Sequence, residues 1–403
     1  MTRAGAASRS TAESGEGAVW RASGQARVKD GGGAGIKGTT DGSRLCHRHD
    51  RHGDYLARSE AYPRAGEADS ACRPRRDHAP FHSRIVTDDR PAFPDPRITE
   101  QRNPRSMSID LASPLEIVDI IAAEDALVAP AVAAQREALA KAVDAGEQAL
   151  RSGGRIIYAG AGTSGRLGVL DASEIPPTFG ADVGLVVGII AGGPAALLRA
   201  QEGAEDSAAG GARDLDTVNI SACDFVVGIA ASGTTPYVHG ALQRAKEVGA
   251  TTAMIACTPL PPATSGIIDI PIVIIVGPEV VTGSTRMKSG TATKLALNII
   301  STGAMIRVGK TFGNLMVDLR ATNAKLVDRS ERIVAEVCEL SRDAARALLQ
   351  RADGLVKRAI VMHMLDVDAA TADMALDASR GVIRRVLQQS PAALAQLQPG
   401  EPR

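Results

Sequence analysis

A doubly wound parallel α/β fold (class α/β), with a C-terminal helical subdomain and a disordered N-terminal extension, is what this sequence predicts. Three observations predict it. Between Arg155 and Val308, five short β-branched runs, each closed by glycine or a polar loop, alternate with helical patterns. From about Asp318 onward the pattern is helical throughout. Residues 1–95 carry no apolar period longer than a few residues.

The first segment holds five of the seven histidines and the only tryptophan, Trp20, among Gly, Ser and Arg. It cannot bury enough apolar surface to offset chain entropy, so disorder is expected, or a start assigned too far upstream. Cys46, His47, His49, His52, Cys72, His78 and His82 raise a zinc reading, but no compact ligand pairing matches, so metal is not expected. Residues 114–152 read as helix interrupted near Pro130. Strands are expected at Arg155–Ala159, Gly184–Ile190, Asp224–Ala230, Thr251–Cys257 and Ile267–Val276. Helices are expected at Gly165–Glu174, Ala195–Gln201, Pro236–Val248 and Arg286–Val308, then at Ala321–Cys338, Ser341–Gln350, Gly354–Met364 and Thr371–Leu387. Three parts follow: an extension (1–95), an α/β domain (96–315) and a helical subdomain (316–403).

Composition narrows the function. In 403 residues, 46 basic groups balance 46 acidic ones, so no global field grips nucleic acid or anionic lipid. Aromatics at 2% argue against base stacking. No run reaches ~18 apolar residues, so no membrane span is expected. Five scattered cysteines and no apolar leader point to a cytoplasmic protein. Cys223, Cys257 and Cys338 lie in or beside apolar runs and read as buried small hydrophobes.

In a doubly wound sheet, ligands sit where strand ends run into helix starts. The first such loop, Gly160-Ala161-Gly162-Thr163-Ser164-Gly165, fits G-x-G-x-x-G. A dinucleotide site needs an acid at the end of the next strand, where this chain has Ala191-Gly192-Gly193. A P-loop fails too, because no Lys-Ser or Lys-Thr follows the glycines. The loop's mark is its paired hydroxyls, and the pattern recurs at Ser232-Gly233-Thr234-Thr235 and at Thr282-Gly283-Ser284-Thr285. Singly, such residues are usually helix caps. Two doubled-hydroxyl loops at the ligand edge are better explained by the phosphate of a phosphosugar.

GAGTSGR at Gly160–Arg166, DASEIPPT at Asp171–Thr178 and EGAEDS at Glu202–Ser207 closely resemble the N-acetylmuramic acid 6-phosphate etherases, a family on the sugar isomerase (SIS) fold. Val226–Val238, Glu279–Lys294, Lys310–Leu326 and the upstream Thr99–Pro104 extend the match. Because it begins before Met107, that residue is a poor candidate for a true start. The resemblance implies a cofactor-free lyase that removes D-lactate from C3 of the phosphosugar and adds water. It implies Glu174 as the acid for the departing lactate and Glu205 as the base at C2. At the end of a helix, a Glu174 carboxyl would face the negative end of the dipole, which suits an acid. Glu205, read without the resemblance, sits in what looks like a solvated acidic turn.

The phosphate would then lie on Thr163, Ser164, Gly165, Ser232, Gly233, Thr234 and Thr235, with Thr234 standing where most members carry arginine. Glu279 is a further substrate-binding candidate; Arg286 and Lys288 are substrate-proximal or structural ion-pair residues. His239 reads as a packed helix residue. The family resemblance implies a homodimer with its site near the subunit interface. An aldose–ketose isomerase on the same fold would need no acid for a leaving group, and a sugar-phosphate sensor would need neither glutamate.

Overall fold

The computed structural model describes residues 97–319 and 324–388. The disorder and zinc readings for residues 1–95 lie outside the described residues. Helices α1 (Pro114–Asp125), α2 (Val128–Ala133) and α3 (Arg136–Arg151) lead into the sheet. Then follow β1 (Ile156–Gly160), α4 (Gly162–Phe179), β2 (Val186–Ile190), α5 (Ala208–Thr217), β3 (Phe225–Ile229), α6 (Pro236–Val248), β4 (Thr251–Ala256), β5 (Ile270–Val273) and α7 (Lys288–Arg307). The strands are all parallel in the order β2-β1-β3-β4-β5, so the chain reverses its direction of winding between β1 and β3.

Alternation along each strand sorts side chains into two layers. Ile156, Tyr158, Phe225, Val227 and Ile255 pack with α3, α4 and α7, while Ile157, Ala159, Val226 and Met254 pack with α5 and α6. Both faces are covered, which is why the strands read as continuous apolar runs. Gly160 and Gly165 bring β1 and α4 together: a Cβ on Gly165 would meet Ile190 Cγ1 at 2.6 Å and the Gly160 carbonyl oxygen at 2.7 Å. Among the described residues no helix is long and apolar enough to cross a membrane.

A two-stranded hairpin, β6 (Thr311–Phe312) with β7 (Leu315–Met316), precedes α8 (Ala324–Val337), α9 (Arg342–Arg351), α10 (Val356–Leu365), α11 (Ala369–Ala378) and α12 (Ile383–Leu387). These helices build a core of their own around Val334, Ala345, Ile360, Ala372 and Ile383.

Several expected elements differ. Ala195–Gln201 forms only a short 3-10 turn, Pro194–Leu197. Thr371–Leu387 is two helices, because Arg380 and Gly381 take positive φ and stop α11. Cys223 is exposed, in contrast to Cys257 and Cys338, which are buried as expected. The expected helix Gly165–Glu174 starts three residues earlier and continues through Pro176 and Pro177 to Phe179.

Residues 97–106 form a strap across the sheet's carboxyl edge. The Ile98 N–H donates to Thr258 Oγ1 (3.4 Å), and the Asn103 side-chain amide donates to the Pro278 carbonyl (3.2 Å). Ser106 Oγ donates to the Val280 carbonyl (2.7 Å), and the Gly283 N–H donates to the Thr99 carbonyl (3.1 Å). The strap is thereby stitched to the loop that precedes α7.

Candidate active site

The loops after β1 and β3 flank the point where strand order reverses, and between them lies a cavity of about 360 Å³. It is lined by Thr163 and Ser164 from one loop, Ser232, Thr234 and Thr235 from the other, and Thr285 from the loop before α7. Glu205 and Asp206 reach it from a 3-10 turn before α5, and Arg97 and Glu100 reach it from the strap. A second cavity of about 310 Å³ adjoins it, sharing Ala161, Gly162 and Glu205.

The hydroxyls are not caps. Ala161 precedes α4 with no side-chain cap, so Thr163 and Ser164 occupy the second and third helical positions. Their N–H groups have no i−4 carbonyl and point out of the helix end. Gly162 takes φ +51° with nothing within 4 Å of where a Cβ would stand, leaving the cavity floor open. Gly165 plays another part. Its N–H donates to the Ala161 carbonyl (3.2 Å), and its missing side chain lets helix and strand touch.

On the other side, Thr235 starts α6 without capping it, and Pro236 has no N–H to offer. The Gly233 N–H is taken by the Ala230 carbonyl (2.9 Å), and the Thr234 N–H donates to Ser232 Oγ (3.3 Å). The Thr234 hydroxyl also donates to Ser232 Oγ (3.2 Å), while the Ser232 and Thr235 hydroxyls line the cavity. Gly233 is the turn, with φ +70°, and its carbonyl accepts from His239 Nε2 at 2.9 Å. A carbonyl can only accept, so that nitrogen carries the proton. His239 thus pins the loop from one turn along α6.

Glu205 is exposed and stands at the wall between the two cavities. Glu174 does not join it within one chain. It is exposed on α4, twelve residues beyond Gly162, or about 18 Å along the axis. The helix runs five residues past it, so the expectation of a terminal carboxyl is corrected. Pro176 and Pro177 do not end the helix, but they leave the Ala172 and Ser173 carbonyls without helical donors. The neighbouring Asp171 is buried and fixes α4 in place: Tyr158 Oη donates to it at 3.0 Å and Asn298 Nδ2 at 2.6 Å. Burial, and after it the Asp171 carboxylate, push the Tyr158 hydroxyl well above its usual range.

Glu279 is also corrected. It is fully buried, and its two oxygens accept from the N–H groups of Lys288 (3.0 Å) and Ser289 (2.9 Å), so it caps α7 from outside and lines neither of these two cavities. Lys288 is structural as well: its ammonium, 1% exposed, donates to Glu124 Oε2 (2.6 Å) and the Val276 carbonyl (2.8 Å). Burial would raise the Glu124 carboxyl, but bonds from Lys288 and Asn103 and the charges of Lys288 and Arg105 outweigh it and hold it low. Arg286 is exposed beside Thr285.

The cavity residues that sequence reasoning missed are Arg97, Glu100 and Asp206. The Thr99–Pro104 motif was visible, but nothing local shows that it folds back on the sheet.

A family model, the glucokinase regulatory protein N-terminal SIS domain, matches residues 121–246. Among solved structures, a phosphoheptose isomerase from Neisseria gonorrhoeae is similar at 17% identity, over 47% of this chain and 96% of its own, with a TM-score of 0.33. Curated relatives are nearer. An N-acetylmuramic acid 6-phosphate etherase of Enterobacter sp. (strain 638) is 55% identical over 72% of this chain and 98% of its own. One from Salmonella typhi is 54% identical over the same shares. With that identity across almost the whole of each relative, the chain belongs to the N-acetylmuramic acid 6-phosphate etherase family.

Proposed function

We propose that the cavity binds N-acetylmuramic acid 6-phosphate and that the chain cleaves its C3 ether, giving N-acetylglucosamine 6-phosphate and D-lactate. One observation carries this reading: two uncapped, hydroxyl-bearing helix starts flank the strand reversal and face Glu205 across a single cavity. The phosphate rests on the Thr163 and Ser164 amides and on the hydroxyls of both loops, where the helix dipoles favour an anion. Ring opening exposes an aldehyde that acidifies C2. Glu205 takes that proton, the C3–O bond breaks, and Glu174 gives its proton to the lactate oxygen. Water then adds at C3 of the unsaturated aldehyde and a proton returns to C2.

Because Glu174 lies outside the cavity of its own chain, this mechanism needs a second copy to present it. A groove of about 740 Å³ among α2, α3 and α7, with Val143, Leu295 and the exposed Ile299 and Ile306 in its lining, supports such pairing. The working unit in this reading is a homodimer, placed in the cytoplasm, each chain comprising a catalytic α/β part and, among the described residues from 324 to 388, a helical part.

The first test is D-lactate release from N-acetylmuramic acid 6-phosphate; a folded wild-type protein that releases none sinks the reading. The second is complementation. Glu174→Gln and Glu205→Gln are each expected to lose ~10²–10⁴-fold in rate. Co-expressed, they should recover about a quarter of wild-type activity, because half the pairs are mixed and each holds one intact site. No recovery would place both glutamates in one chain's site. Glu174→Gln should still exchange the C2 proton with D2O, and Glu205→Gln should not.

A further inference from the structure

The charge around the cavity does not balance without help. Glu100, Glu205 and Asp206 line it, and among its described lining residues Arg97 is the one cation. The substrate proposed above adds a phosphate dianion and a lactyl carboxylate. Neutral hydroxyls and helix amides orient an anion, but they do not cancel three carboxylates in a confined space.

We propose that Arg97 is the phosphate counter-ion of this site and sets its preference for a phosphorylated sugar; the assignment rests on the phosphosugar reading. Placement selects the phosphate over the lactyl carboxylate. The residue after Arg97, Ile98, donates its N–H to Thr258 Oγ1. Thr258 in turn stands beside the second hydroxyl loop, its Cγ2 3.6 Å from where a Gly233 Cβ would be. The strap thus anchors its chain beside the second hydroxyl loop at the residue after Arg97, and Arg97 lines the same cavity as Ser232, Thr234 and Thr235. A guanidinium there offers a planar, permanently charged fork suited to phosphate oxygens.

The test compares two ligands that each carry one of the two anions: N-acetylglucosamine 6-phosphate and D-lactate. For Arg97→Ala, calorimetry should show N-acetylglucosamine 6-phosphate bound ~10–100-fold more weakly, the range expected for a lost hydrogen bond to a charged group. KM for N-acetylmuramic acid 6-phosphate should rise by a similar factor, with kcat falling much less, while inhibition by D-lactate is unchanged. Arg97→Lys should recover part of the loss. Sugar-phosphate binding within twofold of wild type in both variants overturns the proposal. So does unchanged sugar-phosphate binding with lost D-lactate inhibition, which would give Arg97 to the lactyl carboxylate. A wild-type protein that binds N-acetylglucosamine 6-phosphate through Arg97 yet releases no lactate would sink the reaction and leave this assignment standing.

Discussion

At the starts of α1, α5, α9 and α11, a side-chain oxygen turns back on its own helix. Ser113 accepts from the Glu116 N–H, Ser207 from Gly210, Ser341 from Ala344 and Asp368 from Thr371. At α4 and α6 the same residue types stand within a residue or two of the helix start, and none caps it. At α4 the difference is position. A hydroxyl just before the first turn, on extended backbone, reaches the amide three residues on, whereas Thr163 and Ser164 lie inside the first turn. Thr235 stands at the cap position before Pro236, as Ser113 does before Pro114, yet makes no cap bond. One group of helix starts is satisfied by a side-chain cap; the other has none and borders the cavity.

The largest test of this contrast concerns α7, whose start is satisfied by neither device. Glu279→Ala strips the acceptor from two buried amides and should cost roughly 3 kcal/mol in chemical denaturation. Affinity for N-acetylglucosamine 6-phosphate should stay within twofold. An unchanged stability with lost affinity would return Glu279 to the substrate. Next come Thr163→Val and Thr235→Val, each expected to raise KM about tenfold while unfolding free energy shifts by less than about 0.5 kcal/mol. A loss of stability in place of affinity would turn them into caps after all.

The mirror image is Ser341→Ala. It should lose about 1 kcal/mol of stability and leave KM alone. The smallest effect is a titration. The bond from the Ser113 N–H, then that from the Ser113 side chain, holds the Glu116 carboxyl below its ordinary value, and the Thr371 N–H does the same for Asp368. Their folded values are depressed, so their contribution is complete above the unfolded carboxylate value, about 4, and fades as pH falls through the folded one. Carbon-detected NMR should place both midpoints low. Ser113→Ala should relax Glu116 only in part, since the backbone bond, at 2.7 Å, remains.

The sheet was legible because its strands are buried on both faces and punctuated by glycine. The five runs from Arg155 to Val276 fall within a few residues of β1–β5. The two hydroxyl loops were legible for the same reason: each lies where a strand pattern gives way to a helical one. Glu174's setting was not, because Pro-Pro reads as a helix stop, yet the packing of Ile175 and Phe179 into the core carries α4 past it. The role of Glu279 was hidden because an acid nine residues before a helix gives no sign of folding back onto it. Arg97 and Glu100 were invisible as cavity residues because their placement depends on bonds across more than 150 positions, such as that from Ile98 to Thr258.

The two prolines of α4 leave it with missing rungs. Ahead of them the helix is clamped by the Gly160–Gly165 contact and by Asp171; behind them it ends at Gly180, where a Cβ would overlap the Asp318 carbonyl. The helix nevertheless runs unbroken from Gly162 to Phe179, with Glu174 just ahead of the missing rungs. In the proposed reaction the acid would therefore stand on the stretch of α4 that makes the fewest backbone bonds of its own.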